Sequence, residues 1–104
     1  MSFNLFTRRD INRGVKEWKN TKDAVLLDVR TKEEYADYHI SGSVNIPLDR
    51  IHTVGESIPD KATPIFVHCL SGGRSASAAA YLKRNGYSHL YDIGGIRSYR
   101  GETV

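Results

Sequence analysis

Residues 64–86 read PIFVHCLSGGRSASAAAYLKRNG, and three kinds of local structure succeed one another along them. PIFVHC is a short, nearly continuous apolar run, the pattern of a strand covered on both faces. The two glycines of CLSGGRS mark a turn. Ser75 to Arg84 is rich in alanine and other strong helix formers, and Asn85 with Gly86 is a usual helix stop. A buried strand that passes through a glycine loop into a helix is the repeating unit of a parallel sheet. Cys69, the only cysteine of the chain, falls just beyond the strand.

The flanking sequence extends the same alternation. Upstream, Thr7 with Asp10 three residues later resembles a helix start, and Ile11, Val15 and Trp18 share one face, so an amphipathic helix is expected over residues 7–18. Gly14 is its weak point. DAVLLDV (23–29) contains a short apolar run expected to be a buried strand, with Asp28 at its carboxyl end. TKEEYADYH (31–39) offers a helix capped by Thr31 with acids in the first turn. SVNIP (43–47) is a second strand stopped by Pro47. HLYDI (89–93) is the last strand, and Gly94 and Gly95 turn the chain into a short terminal segment. The expectation is one α/β domain over residues 1–104 with a mainly parallel sheet, free of repeats and linkers.

Composition narrows the function classes. Hydrophobic residues make up 39% and charged residues 26% of the 104 residues, ordinary for a globular domain, and no apolar run approaches the roughly 18 residues that span a bilayer. The N-terminus MSFNLFTRRDINRG lacks the apolar stretch and small-residue site of a secretory signal, so a cytoplasmic location is expected. A single cysteine forms no internal disulfide and anchors no multi-thiolate zinc site, and His39, His52, His68 and His89 show no paired helical spacing. A metal role is not expected.

The net charge is +3, unevenly placed: eight acids against three basic residues between Asp23 and Asp60, then six basic residues against one acid from Lys61 to Gly101. These charges are read either as solvated surface or as a field that draws a small anion towards the cysteine. Nucleic acid is not expected as a partner, because the basic residues are scattered and do not alternate with aromatics.

In open parallel sheets, ligands bind beyond the carboxyl ends of the strands, where Cys69 is placed. Taken alone, a cysteine before a turn reads as a small core side chain. The next residues along the chain favour a nucleophile. Gly72 and Gly73 let backbone amides curl inward as an anion nest, the helix opening near Arg74 and Ser75 adds its positive end, and the guanidinium adds a full charge. Each of these favours the thiolate, the reactive form. Four residues separate Cys69 from Arg74, one fewer than in the Cys-x5-Arg loop of cysteine phosphatases. The shorter ring encloses a smaller object, such as one sulfur atom attached to the cysteine.

Four ordered segments complete the picture, and together they resemble the rhodanese (sulfurtransferase) family from about residue 5 to about residue 101. LLDVRTKEEY is similar to the family's Asp-Val-Arg segment with a downstream Glu-Tyr, and HISGSVNIP to its His-Ile-x-Gly-x-x-Asn-Ile-Pro segment. CLSGGRS resembles the Cys-x-x-Gly-x-Arg-Ser active loop, and YDIGGI the closing Gly-Gly turn. The resemblance implies a sheet of about five mainly parallel strands flanked by helices on both faces. It further implies that Cys69 takes a sulfane sulfur from thiosulfate or a persulfide donor and passes it to cyanide, a cellular thiol or a protein thiol. Backbone amides of Leu70, Ser71, Gly72, Gly73, Arg74 and Ser75 are then expected to bind the transferred sulfur, with Arg74 helping to hold loop and anion, and the resemblance implies no metal or organic cofactor. Asp28 and Arg30 are family positions expected to be mainly structural, with Arg30 available to Glu34. His68 is expected on the opposite face of the strand.

The sequence departs from the family pattern at Tyr38, where a glycine usually stands, and near Tyr99, where a tryptophan is usual. Two other readings compete. One is an interaction or sensory module whose cysteine carries a persulfide without turnover, since fold does not dictate function. The other is a phosphatase or arsenate reductase of related fold, against which the short loop argues.

Overall fold

A computed structural model describes residues 9–104. Its first helix, α1 (Ile11–Lys19), starts later than the expected residue 7. Asp10 is the N-cap: its carboxylate accepts the amides of Asn12 at 3.0 Å and Arg13 at 3.4 Å. A short acid that satisfies orphan amides closes a helix at its own position, so Asp10 ends the element that the sequence pattern carries through it. Thr7, the expected start, lies outside the described residues.

Four strands come next: β1 (Val25–Asp28), β2 (Val44–Asn45), β3 (Ile65–Cys69) and β4 (Leu90–Gly95). They pair in the order β2-β1-β3-β4, and every pairing is parallel. The resemblance implied about five strands; among the described residues there are four, the four that the sequence pattern named. Cys69 is the last residue of β3, rather than the first beyond it. Helix α2 (Lys32–Asp37) opens as expected on Thr31, with a full capping box: the Thr31 hydroxyl accepts the Glu34 amide while Glu34 accepts the Thr31 amide. Leu48–Thr53, a 3-10 helix, and α3 (Val54–Ser57), a single turn, were not foreseen. Both are too short for helical periodicity to register. The helix after Cys69, α4 (Gly73–Arg84), begins two residues before the expected Ser75.

The alternation of side chains across a strand divides the core between the two faces. Leu27, Val29, Ile65, Val67 and Cys69 pack with Ala78 and Leu82 of α4 and with Ile51, Val54 and Ile58. Leu26 and Phe66 pack on the other face with Ile11 and Val15 of α1 and with Ile93 and Ile96. Gly14 turns out to be required there, because a Cβ at that position would overlap Ile93. Its cost in helix propensity is offset by the close approach of α1 to the sheet. Among the described residues no helix is long and apolar enough to cross a membrane.

Candidate active site

Strand β3 is buried along its whole length and carries Cys69, 1% exposed, to the carboxyl edge of the sheet. The chain then reverses over three residues. Gly72 holds a φ of 112°, a left-handed conformation that favours glycine, and this turns its amide back on the sulfur: Gly72 N–H donates to Cys69 Sγ at 3.0 Å. The Ser75 hydroxyl, one turn into α4, lies 3.6 Å from the same sulfur. Helix α4 has no side-chain cap on its first amides.

These contacts act against burial. Desolvation pushes the Cys69 thiol up, but the Ser75 hydroxyl and the amides of Ser75, Gly72 and Ser71 outweigh it, and the thiol lies below its ordinary value. Charge from Arg74 is not the main agent. Its guanidinium grips Glu34 bidentately, Nη1 to Oε1 at 2.7 Å and Nη2 to Oε2 at 3.0 Å, and so ties the loop to α2. Arg30, the residue expected to pair with Glu34, is fully buried on Asp28 instead. Its Nη2 donates to Asp28 Oδ2 at 2.8 Å and also to the Tyr38 carbonyl at 2.8 Å. The reason is strand parity: Asp28 and Arg30 are two residues apart at the end of β1, and so share one face.

The seven loop residues singled out from sequence therefore separate by geometry. Cys69, Ser71, Gly72 and Ser75 converge on the sulfur through a side chain or an amide. Leu70 anchors the loop to the 3-10 turn Ile96–Ser98 after β4, its carbonyl accepting the Arg97 amide at 3.0 Å. Gly73 is the first residue of α4, and Arg74 clasps Glu34. His68 does face away from the sulfur. It is buried beside Asp28, 3.6 Å from Oδ2, with Nε2 lacking a hydrogen-bond partner; burial lowers its pKa first, against the pull of Asp28, and keeps it neutral. A cleft of about 340 Å³ lined by Val29, Thr31, Pro47, Leu48, Asp49 and Arg74 flanks the loop on one side.

Sequence reading gave Glu34 a different partner, Arg30, and missed Asp92. Glu34 is fixed twice, as capping-box partner of Thr31 and as clamp on Arg74, and the Thr-x-x-Glu spacing was the available signal. Asp92 is buried beneath Ser75, whose hydroxyl donates to it at 2.8 Å. Its signal was position: it is the one acid between Lys61 and Gly101, set inside an apolar strand. Gly95 also matters more than a turn glycine, because a Cβ there would overlap the Leu70 carbonyl and Ser71 Cα. The active loop rests directly on the β4 backbone.

This geometry leads to two expected outcomes. Gly72→Ala places a Cβ on a left-handed backbone and is expected to destabilise by about 1–2 kcal/mol, read as a lower urea midpoint, and to slow alkylation of Cys69. Gly73→Ala meets open space and is expected to leave both within error or to stabilise slightly. The second outcome concerns pH. Hydrogen bonds from the Arg74 guanidinium lead, over the opposing effect of burial, in holding Glu34 down from 4.5 to about 2. A carboxylate whose pKa falls on folding adds stability above its unfolded value, and loses it as pH drops through the folded one. The stability difference between wild type and Glu34→Gln is therefore expected to be present at pH 6 and to vanish towards pH 2. Both side chains are about a third exposed, so the difference is at most about 1 kcal/mol.

Known proteins share this fold and part of its sequence. A family model described as a rhodanese-like domain matches residues 12–102. The thiosulfate sulfurtransferase GlpE of Pseudomonas entomophila is 41% identical over 88 residues, covering 78% of each chain. The thiosulfate sulfurtransferase PspE of Escherichia coli is 35% identical over 72 residues, covering 68% of this chain and 69% of PspE. Among solved structures, a rhodanese with anions from E. coli superposes with a TM-score of 0.72 at 32% identity, covering 78% of this chain and 96% of the other. A rhodanese-like domain from Anabaena gives 0.80 at 23% identity over 98% of this chain and 80% of the other, a likeness of fold.

Proposed function

Because this chain belongs to the rhodanese-like domain family, we propose that it is a sulfurtransferase. It moves a sulfane sulfur from thiosulfate or a persulfide donor to a thiophilic acceptor through a persulfide on Cys69. The observation that carries this reading is the sulfur held at the carboxyl edge of the sheet by the Gly72 amide at 3.0 Å, with the Ser75 hydroxyl beside it. These groups favour an anion on Sγ without a dedicated base.

The chemistry divides into two displacements. The Cys69 thiolate attacks the outer sulfur of thiosulfate; a new S–S bond forms, the old one breaks, and its electron pair leaves with sulfite. The outer sulfur of the resulting persulfide then carries the negative charge inside the ring of amides from Leu70 to Ser75. Cyanide or a thiolate attacks that sulfur, and Cys69 departs as the thiolate that began the cycle. Arg74 shapes the ring by holding it to Glu34, and the flanking cleft gives the donor and acceptor a place to approach. The similarity to thiosulfate sulfurtransferases supports thiosulfate as donor. A reducing compartment such as the cytoplasm suits a lone cysteine that must return to the free thiolate.

Incubation with thiosulfate is expected to add one sulfur atom to the intact mass, and addition of cyanide or a thiol to remove it. Failure to load from thiosulfate and from a persulfide donor would overturn the proposal. Loading that no acceptor discharges would favour a non-turnover persulfide module.

A further inference from the structure

Asp92 sits immediately before a local irregularity of β4. Val67 pairs with Asp92 but His68 pairs with Gly94, so Ile93 is an extra residue in the strand. Alternation along β4 sets Tyr91 and Ile93 on the α1 face and Leu90 and Asp92 on the α4 face, with Asp92 5% exposed. There Oδ1 accepts the Gly94 amide at 3.1 Å and the Ser75 hydroxyl at 2.8 Å, while Oδ2 lies 3.3 Å from Arg9 Nε.

Ser75 Oγ thus has three neighbours: Asp92 Oδ1 at 2.8 Å, the Gly72 carbonyl at 3.0 Å and Cys69 Sγ at 3.6 Å. A hydroxyl carries one hydrogen and two lone pairs. While Cys69 is a thiol, every group is satisfied, because S–H donates to Oγ and O–H donates to Asp92. Once the sulfur is an anion, all three neighbours are acceptors and a single hydrogen remains for them.

We infer that Asp92 is a positioning residue that competes with Cys69 for the Ser75 hydrogen, so the hydroxyl turns to the sulfur when charge resides on Sγ and back to Asp92 when it leaves. The other charged or titratable groups facing the pair are Arg9 against Asp92, Arg74 from α4, itself clasped by Glu34, and neutral His68 on the far face of β3. None of them exchanges a hydrogen with Ser75 among these contacts. The inference deepens the sulfurtransferase reading and, in its consequence for turnover, rests on it. In that cycle the charge sits on Sγ in the attacking and departing thiolate but on the outer sulfur in the persulfide, so the hydroxyl swings twice per turnover. Competition from Asp92 also keeps the thiolate from being over-stabilised, which preserves its nucleophilicity.

The test is the pH profile of Cys69 alkylation by iodoacetamide, which reports the thiolate without any sulfur donor and so stands whether or not thiosulfate loads the protein. Ser75→Ala removes the donor and is expected to move the midpoint to higher pH. One pH unit below the wild-type midpoint, alkylation should be at least about tenfold slower, since hydrogen bonds to charged groups are the strong ones. Asp92→Asn replaces the carboxylate by an uncharged, weaker acceptor and is expected to move the midpoint to lower pH, with alkylation about threefold faster at that same pH. The opposite signs are diagnostic, because mere loosening of the loop moves the midpoint up in both variants. In the double variant the Asp92 effect should disappear. A shift of Asp92→Asn upward, or an undiminished Asp92 effect in the Ser75→Ala background, would overturn the inference. Should Asp92→Asn lack a cooperative melt, Asp92→Ser, smaller and also uncharged, takes its place under the same criteria.

Discussion

Replacement of Cys69 by serine is expected to leave the protein folded and to abolish sulfur loading, with the intact mass unchanged by thiosulfate while wild type gains one sulfur atom. The substitution exchanges one atom for a slightly smaller one in a position 1% exposed, so the Gly72 amide and Ser75 hydroxyl still have an acceptor at the strand end. The urea midpoint should therefore stay close to wild type. Chemistry changes far more than packing. A serine hydroxyl is almost wholly protonated near neutrality, and among the described residues no base touches Sγ to activate it, whereas a thiol is the least dependent of the side-chain nucleophiles on such help. The loss in transfer rate is expected to be at least about 10³-fold, the range seen when an activated nucleophile is removed. Transfer surviving at more than a few per cent in Cys69→Ser would move the reaction away from this residue.

The second large effect is on stability. Asp28 and Arg30 are 0% and 1% exposed, and the carboxylate receives Arg30 Nε at 3.1 Å, Nη2 at 2.8 Å and the Arg30 amide at 2.9 Å. The guanidinium also lies 5.1 Å from the ring centre of Tyr38, the position where the family usually has glycine. Asp28→Ala leaves that cation buried beside the carbonyl of Tyr38 alone. Breaking a buried pair from one side typically costs about 3–5 kcal/mol, a large part of the roughly 5–15 kcal/mol that holds a domain folded. Urea denaturation should show this loss. Asp28→Ala with Arg30→Met removes both charges and is expected to recover much of it, because the paired ions themselves repay little beyond their desolvation. If the double variant is as unstable as the single, the pair holds the fold through shape rather than charge balance. Molecules that remain folded should still load sulfur, since the pair lies on the face away from Sγ.

Local pattern revealed what local physics decides. Continuous apolar runs located β1 and β3, Thr31 with acids in the turn after it located α2, and Gly72 marked the reversal that lays an amide on Cys69. Choices between partners distant in sequence did not emerge this way. Arg30 and Arg74 were both eligible for Glu34, and the outcome depends on which face of β1 each strand-end residue occupies and on α4 lying across from α2. Asp92 is a similar case: an acid in an apolar strand is conspicuous, but its duty depends on Ser75 of α4 lying over its face of β4. Asp10 shows the opposite failure, a residue whose own capping chemistry was legible but was read as part of the helix it closes.

Gly95 supports the Leu70–Ser71 backbone from below, and Asp92, on the same strand, holds Ser75, so the thiol-activating arrangement is not a property of the CLSGGRS segment by itself. It is complete only when β4 lies beside β3, a parallel pairing across an intervening helix. An unfolded chain lacks both supports, and its Cys69 is an ordinary thiol, protonated for the most part near neutrality and slow to meet oxidants. Reactivity at the one cysteine is therefore tied to the completed sheet.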